Sequence, residues 1–141
     1  MNLFFFCISH IQLVGQKIVG GVDLGVQIDD DPECQEPATE ALVMLLNCIN
    51  GGFKVPLGYF FITSLTGDQR ASLVRLCLQK LDDIGAKTIS LVCDGPPANL
   101  SMAKKLGVNL NVDNFSTRLK DRTDSTFFLL DPPHMLKVRF T

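Results

Sequence analysis

Apolar residues fall along this chain in short runs separated by turn signals, and the period changes from run to run. Lys17–Leu24 (Lys-Ile-Val-Gly-Gly-Val-Asp-Leu) is short, apolar and β-branched, which suits a strand carrying Asp23 near its end. Ala41–Ile49 is a continuous apolar stretch of strand length, although a buried helix would read the same way. Asn50-Gly51-Gly52 signals a turn and Phe53–Thr63 resumes as a strand, so a hairpin is expected. Pro56 cannot donate to a ladder, which places that strand at an edge or at a bulge.

At Thr66–Ile84 the pattern becomes helical. Thr66 and Gln69 have the spacing of a capping box. Leu73, Leu76, Cys77, Leu81 and Ile84 are expected on one core-facing side, with Arg70, Arg75, Gln79, Lys80, Asp82 and Asp83 mostly elsewhere, and Gly85 ends the helix. A buried strand follows (Ile89, Leu91, Val92, Cys93) and stops at Asp94. Gly95-Pro96-Pro97 turns the chain into a second helix through Met102, Ala103 and Leu106 to Gly107. Val108–Asp124 reads as a polar connection. Thr126–Leu130 is a last strand, again ending in an aspartate, Asp131, before a helix-like pattern through Met135, Leu136 and Val138.

The resulting order is β-β-β-α-β-α-β-(α). Hairpin links make the first three strands antiparallel, and helical crossovers return the last two parallel to the first. The fold class expected is α/β, a mixed sheet with helices on its faces, in the order of ribonuclease H-like domains. In that arrangement the first and fourth strands are neighbours, so Asp23 and Asp94 would meet. Two adjacent carboxylates repel unless a cation lies between them, and Mg²⁺ or Mn²⁺ prefers such oxygen ligands. A pair of these ions roughly 3.5–4 Å apart can activate a water or a 3′-hydroxyl and stabilise the leaving oxygen of a phosphodiester. A second reading of Asp94 stays open, in which it merely caps the turn before the helix.

Composition narrows the classes. A chain of 141 residues, 46% hydrophobic, is one domain with a real core. Its net charge of −2 gives no global basic field, so charge alone offers no support for nucleic-acid binding. Five cysteines (Cys7, Cys34, Cys48, Cys77, Cys93), odd in number and without a C-x-x-C pair, argue for reduced thiols in an intracellular protein. Met1–Leu13 has no Lys or Arg before its apolar run and no small-x-small cleavage site. An N-terminal strand or a segment foreign to the domain is therefore expected there rather than a signal peptide. No stretch is apolar for the ~20 residues a membrane span needs. The acidic run Gln27–Pro37 lacks calcium-loop spacing and reads as a solvated loop. Neither G-x-G-x-x-G nor G-x-x-x-x-G-K-[ST] occurs, which leaves a nucleotide-dependent small-molecule enzyme unsupported.

Four runs carry a resemblance: Gly21-Val22-Asp23-Leu24-Gly25, Lys54-Val55-Pro56-Leu57-Gly58-Tyr59-Phe60, Cys93-Asp94-Gly95-Pro96-Pro97-Ala98-Asn99 and Asp131-Pro132-Pro133-His134-Met135-Leu136-Lys137. Together, over roughly residues 17–139, they resemble the P element transposase family, including its THAP-domain members. That resemblance implies a ribonuclease H-like catalytic domain whose metal-binding triad of two Asp and a Glu cuts and joins DNA. Asp23 then matches the first triad Asp and Asp94 the second. The domain would run from 17 to 141, with residues 1–16 unassigned.

The resemblance also sets expectations about what is missing. The family's third carboxylate comes later, after a GTP-binding insertion, and its zinc-coordinating THAP domain comes earlier. The fold is thus expected to be truncated before the last catalytic helix, and the chain to be a fragment with little or no cleavage activity by itself. Asp131 is a substitute third carboxylate or a helix N-cap, and His134 touches metal-bound water or phosphate or is bonded in the first helical turn. The resemblance implies Mg²⁺ or Mn²⁺ as cofactor, with transposon-end DNA and full-length transposase or a second copy as partners. It also implies a nuclear location and no membrane association. Arg118, Lys120, Arg122, Lys137 and Arg139 could meet DNA phosphates in a complete enzyme and otherwise read as solvated charges. The rival expectation is a transposon remnant that works as a non-catalytic protein-interaction module.

Overall fold

The structure, a computed structural model, describes residues 1–9, 38–120 and 125–132. Five strands form one sheet: β1 (Asn2–Ser9), β2 (Glu40–Asn47), β3 (Lys54–Ile62), β4 (Ser90–Cys93) and β5 (Phe127–Leu130), in the spatial order β3-β2-β1-β4-β5. β1 pairs antiparallel with β2, and β2 with β3, whereas β4 runs parallel to both β1 and β5. Helix α1 (Gly67–Asp83) crosses from β3 to β4, and α2 (Pro97–Lys105) from β4 towards β5.

Local chemistry explains most of the boundaries. Cys48 N–H donates to Phe53 C=O (3.1 Å) across the Asn-Gly-Gly turn, closing the expected β2–β3 hairpin. β3 is an edge strand, and the β2–β3 register shifts between Met44 and Leu45, the latter opposite Pro56. Both expectations for Pro56 are therefore met at once, since an edge and an irregularity each spare its missing donor. Thr66 caps α1 with both halves of the capping box in place: Gln69 N–H reaches Thr66 Oγ1 at 3.3 Å, and Thr66 N–H reaches Gln69 Oε1 at 2.9 Å. Pro97 opens α2, where its missing N–H costs nothing. Gly107 follows the end of α2 at φ +87°, the left-handed conformation a helix stop favours.

One hydrophobic cluster joins the alternate residues Leu42 and Met44 of β2, Leu91 and Cys93 of β4 and Phe128 of β5 to Ala71, Val74 and Leu78 of α1 and Met102, Ala103 and Leu106 of α2. Both helices pack on the same face of the sheet and against each other. Among the described residues the other face presents Tyr59, Phe127 and Leu129 to solvent, and the helix expected through Met135, Leu136 and Val138 lies outside them.

Two further expectations are corrected. The strand beside β4 is Asn2–Ser9, so the N-terminal segment takes the place in the sheet that the sequence assigned to Lys17–Leu24, which itself lies outside the described residues. Of the core-facing side expected for α1, Leu81 is buried and Leu73 and Cys77 pack against the core, but Leu76 and Ile84 are exposed and the buried stripe runs through Arg70, Ala71, Val74 and Leu78. The helix is rotated towards its Arg70 side because Arg70 has buried partners to reach.

Candidate functional site

β4 ends at Cys93, and its register fixes what surrounds the next residue. Cys93 pairs with Leu130 on β5 and with Phe5 on β1. Asp94 and Asp131 therefore leave neighbouring parallel strands at the same sheet edge, tied by the Asp131 N–H donating to Cys93 C=O at 2.9 Å. This carboxyl edge is where open α/β sheets place their ligands. On the other side, β1 (Asn-Leu-Phe-Phe-Phe-Cys-Ile-Ser) carries no carboxylate, and Phe6 holds the position after Phe5. Asp23 and His134 lie outside the described residues, as do Arg122, Lys137 and Arg139.

The N-cap of α2 is Pro96, without a side-chain cap bond. Asp94 is engaged differently. Asn99, wholly buried in the first turn of α2, donates from Nδ2 to Asp94 Oδ1 at 2.6 Å. Its Oδ1 accepts in turn from the Arg70 guanidinium at 3.0 Å. Arg70, 6% exposed, also donates from Nε to Leu65 C=O (3.2 Å) and faces the Glu40 carboxylate at 3.9 Å. Arg70 thus ties the start of β2, the α1 cap and the first turn of α2 together, and Asn99 extends that network to the carboxylate at the end of β4.

The electrostatics of the edge show in the neighbouring thiol. Burial first, and then the Asp94 charge, push Cys93 up to about 12 from an ordinary 9.0, with Arg70 opposing. Cys93 is consequently a protonated, buried core thiol, poorly disposed to nucleophilic attack.

Sequence reasoning placed Asp94 and Asp131 at strand ends, and both are there. It missed Arg70, which it put on the solvent side of α1. The signal was present, because Arg70 shares the i, i+4, i+8 phase of Val74 and Leu78, and a charge inside an apolar stripe implies a buried partner. Among the described residues, no group of three or more His, Cys, Asp or Glu side chains could hold a metal ion. Asp94 and Asp131 are hard oxygen donors of the right kind, and a full coordination sphere needs donors from beyond them.

The chain matches the TNP-like, RNase H N-terminal domain over residues 9–107. It is 30% identical over 127 residues to the DNA transposase THAP9 of Homo sapiens, a match covering 86% of this chain and 14% of that protein. The fold resembles a chain of the Drosophila P element transposase strand transfer complex, with a TM-score of 0.65 and 18% identity, over 98% of this chain and 28% of the other. The chain thus spans only about a seventh of the length of its human relative. Strand order, the carboxyl-edge aspartates and these matches together place it: the chain belongs to the TNP-like RNase H N-terminal domain family and is homologous to the THAP9 and P element transposases.

Proposed function

We propose that this chain is the N-terminal part of a DNA transposase catalytic domain, with Asp94 as a ligand of a divalent metal used in phosphodiester cleavage and strand transfer. The observation that carries the reading is a carboxylate held by a buried amide at the carboxyl end of a central parallel strand. Mg²⁺ or Mn²⁺ would supply charge neutralisation and an activated water or hydroxyl there. Asp94 would ligate through its carboxylate, Asn99 would fix that carboxylate, and the core beneath Cys93 would keep the strand end rigid. Asp23 is the proposed second ligand. Asp131 directly follows the adjoining strand β5 and is the alternative partner. Because no group of three carboxylates, histidines or cysteines is gathered among the described residues, the expected cleavage activity of this chain by itself is low. DNA and a nuclear setting belong to this same proposal.

The test is Mn²⁺ binding by calorimetry to the wild type and to Asp94→Ala, Asp23→Ala and Asp131→Ala. Loss of the heat in Asp94→Ala supports the metal reading, and the second variant that loses it identifies the partner carboxylate. A folded wild type that binds no Mn²⁺ would sink this reading.

A second reading, a non-catalytic interaction module, is favoured by one observation. Tyr59 (67% exposed), Phe127 and Leu129 leave apolar surface on the sheet face away from the helices. Under that reading the Asp94→Ala variant keeps its partner, while Tyr59→Lys loses it.

A further inference from the structure

A buried arginine usually balances a buried carboxylate directly. Here Arg70 faces the Glu40 carboxylate at 3.9 Å, and between it and the half-buried Asp94 an uncharged amide is interposed. Arg70 has only donors to offer, so the Asn99 side chain must turn its oxygen towards Arg70 and its NH₂ towards Asp94. The amide cannot flip without setting donor against donor at one end and acceptor against acceptor at the other. Arg70 cannot turn either, because its Nε is committed to Leu65 C=O at 3.2 Å, and its other side faces Glu40. The cap of α1 is fixed in turn by the Thr66–Gln69 capping box, so the arginine is held at both ends. Every group in this chain of bonds from Leu65 to Asp94 is thereby oriented, and Asn99 is fully buried where water cannot substitute for it.

We propose that Asn99 and Arg70 are positioning residues: the Arg70–Asn99 pair locks the Asp94 carboxylate in one orientation at the sheet edge, so that divalent-metal affinity depends on a buried amide and guanidinium that never touch the metal. The inference rests on the reading of Asp94 as a metal ligand. Groups that orient a ligand from behind typically alter metal affinity by about 10–100-fold when removed. The relay also explains why the motif after Asp94 places an asparagine five residues on: the Gly-Pro-Pro turn and the first turn of α2 return that side chain beneath the carboxylate.

The experiment compares Mn²⁺ affinity and thermal unfolding of the full chain in the wild type, Arg70→Lys, and the double variant Arg70→Met with Asn99→Leu. The double variant removes both members of the Arg70–Asn99 bond, and because Leu65 C=O and the Glu40 carboxylate lose their arginine and Leu is larger than Asn, its melt is read beside its affinity. A merely structural pair predicts that such a variant, while folded, binds metal as the wild type does. Positioning predicts about tenfold weaker Mn²⁺ binding in a double variant that is still folded at the assay temperature, and Arg70→Lys, which keeps the charge but loses the fork, weakens binding in the same sense. Wild-type affinity in the folded double variant overturns the inference.

A second measurement covers a double variant that fails to fold. The Asn99 side-chain amide protons in the wild type should exchange slowly with solvent, and Asp94→Ala should shift their resonances and speed their exchange. Unchanged resonances and exchange overturn the relay. A wild type that shows this coupling but binds no Mn²⁺ overturns the metal reading, and the positioning role with it, while leaving the bonds themselves intact.

Discussion

Cys93 stands one residue before Asp94, and its thiol reports on the site without being part of it. Burial and the Asp94 charge hold it protonated up to about pH 12, and burial alone raises Cys77 to about 11. A thiol whose folded value lies above the ordinary 9.0 contributes stability that is complete below pH 9 and disappears as pH rises through the folded value. The expected outcome is a melting temperature that is flat with respect to these thiols below pH 9 and falls between about pH 9 and 12, which thermal melts across that range would check. Native-state labelling with iodoacetamide at pH 8 should leave Cys93 unmodified, while urea makes it reactive. Residue identity alone made Asp94 and Asp131 readable, because a carboxylate at the end of an apolar run is conspicuous. Arg70 and Asn99 were not readable as a pair, since their contact spans two helices and depends on the rotation of α1.

At the scale of elements, caps and turns were the legible part, and the reason is that they are local. The Thr66–Gln69 box spans four residues and forms as written, so Thr66→Ala should cost about 1 kcal/mol by urea denaturation. Two glycines after helices separate backbone strain from steric crowding. Gly85 (φ +74°) has open space around the position of an added Cβ, whereas at Gly107 (φ +87°) the same atom would lie 2.6 Å from Lys120 Cβ. Gly85→Ala is therefore expected to lose about 1 kcal/mol, and Gly107→Ala clearly more, in parallel melts. What the sequence could not reveal was which strand lies next to β4. Asn2–Ser9 and Lys17–Leu24 are both short apolar runs, and choosing between them needs a long-range pairing that periodicity does not encode. α1 shows the same limit: Leu81 is buried as expected and Leu73 and Cys77 pack against the core, but the stripe is centred on Ala71, Val74 and Leu78, which leaves Leu76 and Ile84 exposed.

For the whole molecule, the sheet has two unlike faces, and β5 samples both. Phe128 is buried under the helices, and Leu129, the next residue, is 48% exposed. Phe128→Ala should cost about 3–5 kcal/mol, enough to unfold a marginal domain, and Leu129→Ala under 1 kcal/mol, a contrast readable by circular dichroism at increasing urea. The family and its α/β class were legible because four motifs occur in the right order. The exposure of Tyr59, Phe127 and Leu129 was not legible, because apolar residues on an open face have the same period as those in a core.

The position of β4 has a kinetic consequence. It is four residues long and bonded on both sides, Ser90 meeting Asn2 on one flank and Phe127 on the other. A strand so short gains little from its own turn-sized neighbourhood and must wait for both distant ends of the chain to arrive. Once enclosed it has no free edge from which to fray, so its amides should be among the slowest to exchange with deuterium, and those on the outer rim of β3 among the fastest. The strand that presents Asp94 is thus assembled late and surrendered late, so the carboxyl edge takes its final shape only when folding has finished.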